Sequence, residues 1–145
     1  MSKINSSILI NKPIEEDFDY AASPYNGPAF IPNLSENTNI RPEVPGVGQK
    51  FEWRFNLLGV DITGTAEVAE FQRPNLVVMK TEGGTNSTWT YKFEEENSGT
   101  RVSVEVEYDL PDSVLERLTN KLVVDKVNQR SCDQMLENLK TILES

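Results

Sequence analysis

The chain has no histidine and only one cysteine among its 145 residues. Without histidine, serine–histidine and cysteine–histidine catalysis are excluded, and no spacing of ligands suits a zinc site. One cysteine permits no internal disulfide. Cys132 falls in a stretch of helical character, and with no base beside it the thiol reads as a buried structural group. Long apolar runs are missing as well. Ile8-Leu9-Ile10 is stopped by Asn11-Lys12-Pro13, too short for a signal peptide or a membrane span. The expectation is a soluble, cytoplasmic protein with no integral membrane association. Basic residues are few, 14 Lys and Arg against 23 Asp and Glu, for a net charge of −9. That balance repels nucleic-acid phosphates and anionic membrane surfaces and favours solubility. No metal and no cofactor is implied, and nothing in the residues bears on oligomeric state.

What the chain does contain is alternation. At 145 residues with 37% apolar content it reads as a single domain, 1–145, large enough for a core that needs no covalent staple. Ile4 to Asn11 reads as a strand, and Pro13 opens a short helix whose stripe is Ile14, Phe18 and Ala21 or Ala22. The acidic run Glu15-Glu16-Asp17 suits the positive end of that helix and is expected to be solvated. Tyr25 to Ile31 reads as a second helical turn, and Asn33 to Arg41 as a modest strand. Period-two patterning follows. Gln49, Phe51, Trp53, Phe55 and Leu57 share one face, opposite Lys50, Glu52 and Arg54. After a reversal at Leu58-Gly59, Val60 to Phe71 continues with Ile62, Gly64, Ala66 and Val68 inward, and the offset to Phe71 predicts a bulge. Val77, Met79 and Thr81 follow in the next strand, then Trp89, Tyr91 and Phe93, an acidic turn over Glu94 to Gly99, and Val102, Val104, Val106, Tyr108 and Leu110. The short turns make these strands antiparallel neighbours. From about Pro111 to Leu143 the period becomes helical, with Leu115, Leu118, Leu122, Met135, Leu139 and Leu143 on one face. The fold class is α+β, about seven strands in one curved sheet closed by one long helix.

The order and spacing of several fragments resemble the polyketide cyclase/dehydrase branch (SRPBCC) of the START-like, helix-grip superfamily, which is related to the coenzyme Q-binding proteins. The fragments are Ile8-Leu9-Ile10-Asn11-Lys12-Pro13, Val44-Pro45-Gly46-Val47-Gly48-Gln49-Lys50-Phe51, Glu67-Val68-Ala69-Glu70-Phe71 leading to Pro74, Gly99-Thr100-Arg101-Val102, and Gln134-Met135-Leu136-Glu137-Asn138-Leu139-Lys140. The resemblance implies a helix-grip fold: a curved antiparallel sheet wrapped around the C-terminal helix, with two short helices after the first strand. It also implies a cavity, without implying a reaction. The segment Pro24 to Pro32 and the Gly83-Gly84 loop would form its rim.

The candidate cavity wall follows from the inward faces: Phe51, Trp53, Phe55, Ile62, Met79, Thr81, Trp89, Tyr91, Phe93, Val104 and Val106 from the sheet. Val124, Asn128, Ser131 and Met135, with Cys132 adjacent, come from one face of the helix. A filled core is the alternative for the aromatic residues, and solvent the alternative for Asn128 and Ser131. Tyr91, Thr81 and Gln49 are the polar members of the inward sets, and a buried tyrosine hydroxyl needs a partner, which a ligand oxygen can supply. Three functions remain open. The first is binding or carriage of an apolar lipid, quinone or polyketide-like molecule. The second is a cyclase or dehydratase using Tyr91 and Asn128 as polar anchors. The third is a chaperone-associated interaction module presenting Lys50, Glu52 and Arg54.

Overall fold

The computed structural model describes residues 2–118 and 120–145. Seven strands form one antiparallel sheet: β1 (Ser2–Ile10), β2 (Leu34–Arg41), β3 (Lys50–Leu57), β4 (Val60–Gln72), β5 (Leu76–Gly83), β6 (Asn86–Glu96) and β7 (Gly99–Asp109). Their order across the sheet is β1-β7-β6-β5-β4-β3-β2, so only the β1–β2 connection leaves the hairpin pattern. That connection carries α1 (Ile14–Ala21), a 3-10 turn at Pro24–Asn26 and α2 (Gly27–Phe30).

The hairpin turns are set by local chemistry. Leu58 and Gly59 both take positive φ, 51° and 86°, the backbone that matches strand twist in a two-residue reversal. Asn97 and Ser98 do the same at 48° and 68°. The turn expected over Glu94 to Gly99 is therefore only two residues long, because Glu94 to Glu96 stay paired with Arg101 to Gly99. The bulge expected in the fourth strand lies at Ala69, where the register passes from Val68↔Met79 to Glu70↔Val78. It returns Phe71 to the inner face, where its ring meets Phe18 edge-on at 5.2 Å. Gly64 and Gly83 are directly paired. A Cβ on Gly64 would lie 2.0 Å from the Glu82 carbonyl oxygen and 2.5 Å from the Trp53 ring, so the glycine makes room for the indole.

The helical C-terminal region is not one helix. α3 (Asp112–Leu115) ends in a turn, and α4 (Lys121–Glu144) begins afresh. The cause is Asn120, an N-cap with extended backbone whose Oδ1 accepts from the backbone N–H of Leu122 at 2.8 Å and Val123 at 3.3 Å. The new start resets the helical phase. Leu122, expected on the buried stripe with Leu115 and Leu118, is 73% exposed, and the buried face begins at Val124 and continues through Cys132, Met135, Leu136 and Leu139. At 24 residues, α4 is about 36 Å long. It is tied to β1 by polar side chains. Gln129 donates to the Asn5 carbonyl and Lys140 to the Leu9 carbonyl, both at 2.8 Å, and Glu144 accepts from the Asn11 N–H at 2.8 Å.

One hydrophobic cluster joins the inner sheet face, α1, α2 and α4. Each large apolar side chain fully buried there contributes about 1.5–3 kcal/mol.

Candidate functional site

Between the concave face of the sheet, the α1–α2 segment and α4 lies a cavity of about 160 Å³. Trp53, for whose indole Gly64 leaves room, lies on the sheet side of it, and Phe30 of α2 and Met135 of α4 lie on the opposite side. Twelve of the fifteen residues expected on the wall line it: Phe51, Trp53 and Phe55 on β3, Ile62 on β4, Met79 and Thr81 on β5, Trp89 and Tyr91 on β6, Val106 on β7, and Asn128, Ser131 and Met135 on α4. Phe93, Val104 and Val124 do not. They are buried in the packed cluster, and Phe93 faces α1, where Phe18 meets its ring edge-on at 5.1 Å. The expected rim is half present: Pro24, Gly27, Phe30, Ile31 and Pro32 line the space, but on the other side the residue reached is Thr85 and not Gly83 or Gly84.

Asn37 on β2 also lines the cavity and was not singled out from the sequence, because β2 is mostly polar and lacks a clear alternation. Its Nδ2 donates to the Pro24 carbonyl at 2.8 Å, fastening the cover to the sheet. Its buried Oδ1 has no partner.

The other polar groups of the wall differ in how fully they are used. Trp89 Nε1 donates to Ser87 Oγ at 3.0 Å, Ser87 and Thr81 are hydrogen-bonded to each other, and Thr81 Oγ1 donates to the Thr85 carbonyl at 3.1 Å. That relay uses every proton it holds. Trp53 Nε1 donates to the Thr65 carbonyl at 3.0 Å. Tyr108 donates to the Asp125 carboxylate, and burial, reinforced by that carboxylate, pushes its pKa up to about 12. Tyr91 is different. It is completely buried, and its hydroxyl meets only the Met135 sulfur, at 3.8 Å. A thioether is a weak acceptor. Burial raises the Tyr91 pKa well above its ordinary value, and burial likewise pushes the Cys132 thiol to about 11. Both are neutral donors at physiological pH. Among the described residues, no Asp, Glu, Lys or Arg lines the cavity.

Two polar residues lie buried elsewhere. Gln49 is inward, as expected, but its Nε2 donates to the Pro42 carbonyl at 3.0 Å, beyond the cavity. Asp17, expected in solvent, is fully buried with both carboxylate oxygens unpartnered. Positions 14, 17, 18 and 21 share one helical face, so burying Ile14, Phe18 and Ala21 carries Asp17 inward with them. The outward row Lys50, Glu52 and Arg54 is engaged within the sheet: Lys50 pairs with Glu67 at 3.3 Å, Arg54 with Glu36 at 3.4 Å, and Glu52 accepts from Asn39. Among the described residues, no helix is long and apolar enough to cross a membrane.

Residues 1–144 match the family model described as polyketide cyclase / dehydrase and lipid transport. No curated protein matches the chain in sequence. Solved structures share the fold. A Thermus thermophilus protein superposes with a TM-score of 0.80 at 20% identity, covering 97% of this chain and 95% of its own. A Bacillus halodurans protein does so with a TM-score of 0.74 at 17% identity, covering 98% and 96%. The di-domain ARO/CYC StfQ from the steffimycin biosynthetic pathway reaches 0.74 at 18% identity over 98% of this chain, which matches 50% of StfQ. At these identities the likeness is one of fold: the seven-stranded curved sheet, the long C-terminal helix and the short helices after the first strand.

Proposed function

The chain belongs to the polyketide cyclase / dehydrase and lipid transport family, and on that premise we propose that it binds and carries an apolar small molecule inside the sheet–helix cavity. The observation that supports this reading is the wall itself: aromatic and aliphatic side chains around an internal space, with a few polar groups and no charge. Such a surface gains by excluding water, and it orients a guest through a small number of hydrogen bonds. The carrier reading is favoured over the cyclase reading by proton chemistry. Cyclisation and dehydration need a group that accepts a proton near neutral pH. Among the described residues no carboxylate, amine or imidazole lines the wall to take that proton, and burial keeps its titratable groups, Tyr91, Tyr108 and Cys132, neutral.

Native mass spectrometry of freshly purified protein, set against the denatured mass, tests the proposal. A discrete, displaceable extra mass is the expected result, as is saturable quenching of Trp53 and Trp89 by added apolar ligand. A protein that takes up no apolar molecule at any concentration rejects it.

A further inference from the structure

We propose that the cavity selects an uncharged, ring-sized molecule carrying a carbonyl or hydroxyl oxygen for Tyr91, and rejects carboxylates and other anions. This rests on the binding function proposed above and specifies its ligand class.

Size comes first. A volume of about 160 Å³ is close to the ~150 Å³ that houses a single benzene ring, and below the roughly 300–1,000 Å³ of drug-sized sites. Charge comes second. An ion transferred into an apolar space without a counter-charge loses several kcal/mol of solvation, and no cationic side chain lines this one. Behind the wall residue Tyr108 stands the Asp125 carboxylate, which repels a second anion. Hydrogen bonding comes third. Among the polar groups of the wall, the Tyr91 hydroxyl has only a sulfur for a partner and the buried Asn37 Oδ1 has none, while Asn128 and Ser131 line the space from α4. Tyr91 and Asn37 stand on β6 and β2, four strands apart in the sheet. A neutral guest with an acceptor oxygen satisfies Tyr91 in place of Met135, and a guest of one ring does not extend from there to Asn37.

Three probes matched in ring and size separate the possibilities: ethylbenzene, acetophenone and benzoate, titrated at pH 7.5 into the intact protein by calorimetry and tryptophan fluorescence. Acetophenone is expected to bind most tightly. Ethylbenzene should bind several-fold more weakly, and benzoate at least about 100-fold more weakly than acetophenone, as the loss of ion solvation demands. Tyr91→Phe should weaken acetophenone about 3–10-fold, the worth of one hydrogen bond, and weaken ethylbenzene less. A cooperative thermal melt with the parent's circular dichroism shows that the variant is folded. Benzoate binding as tightly as acetophenone overturns the proposal, as does a Tyr91→Phe protein that binds acetophenone like the parent. In either case ethylbenzene binding would leave the cavity function standing. Failure of all three probes overturns the ligand class proposed here, and the binding function falls with it only if native mass spectrometry also finds no apolar molecule taken up.

Discussion

At Asp17 a carboxyl is buried beside groups that cannot hold its charge. The Thr100 hydroxyl next to it spends its proton on the Lys12 carbonyl, at 2.9 Å. Burial is the main cause of a pKa raised to about 7, and the charges of Glu16 and Glu144 add to it, against a lowering by Thr100 and Lys12. Protonated, Asp17 becomes a donor and can use the oxygen of Thr100. The linkage sign follows. The folded state holds this proton up to about pH 7, whereas the unfolded chain releases it near its model value of 3.8. Folding stability therefore falls as pH rises from about 4 to 7, and the deficit is fully present above 7. Asp17→Asn, which stays neutral, should raise Tm at pH 8 and have little effect at pH 4. Thermal melts of both proteins across that range check this, and equal Tm differences at the two ends would contradict it. The burial was legible in the spacing of positions 14, 17, 18 and 21. It was masked because an acidic run at a helix start has an ordinary solvated explanation.

Among the elements, the strands announced themselves, since most alternations from Phe51 to Leu110 have one buried and one wet face, β5 with both Val77 and Val78 buried being the exception. The ends of α3 and α4 did not. Apolar spacing continues through Leu115, Leu118 and Leu122 as if one helix ran on, and a single capping asparagine outweighs it. Asn120→Ala removes the acceptor for the first turn of α4 and should cost about 1 kcal/mol. Urea denaturation measures the cost, and faster amide exchange at Leu122 and Val123 locates it. An unchanged midpoint would mean that the helix start is held by packing alone. The cavity was only partly legible for a related reason. Alternation says which side chains turn inward, but whether they meet depends on sheet curvature and on what the helices place opposite, and local irregularities such as the Ala69 bulge leave little trace in the pattern. Phe93, Val104 and Val124 share the periodicity of the wall residues and differ only in what stands opposite them.

For the whole molecule, a ligand that occupies the cavity binds the folded chain and not the unfolded one. At a free concentration 100 times its Kd, it should add about 2.7 kcal/mol of stability, read as a concentration-dependent rise in Tm. A ligand that saturates the fluorescence change without moving Tm would be bound elsewhere. The same global view gives new weight to the clasp between α4 and β1. An open sheet has two borders, and unpaired backbone groups along a border invite strands from other molecules. Gln129 and Lys140 occupy the Asn5 and Leu9 carbonyls, and Glu144 the Asn11 N–H just past the strand, so the helix that roofs the cavity also covers part of one border. The other, β2, is broken by two register shifts and carries charges at Glu36 and Arg41. Loosening the C-terminal helix would thus do more than open the cavity: it would expose a strand that can recruit its own kind, and the roof is at the same time a guard against self-assembly.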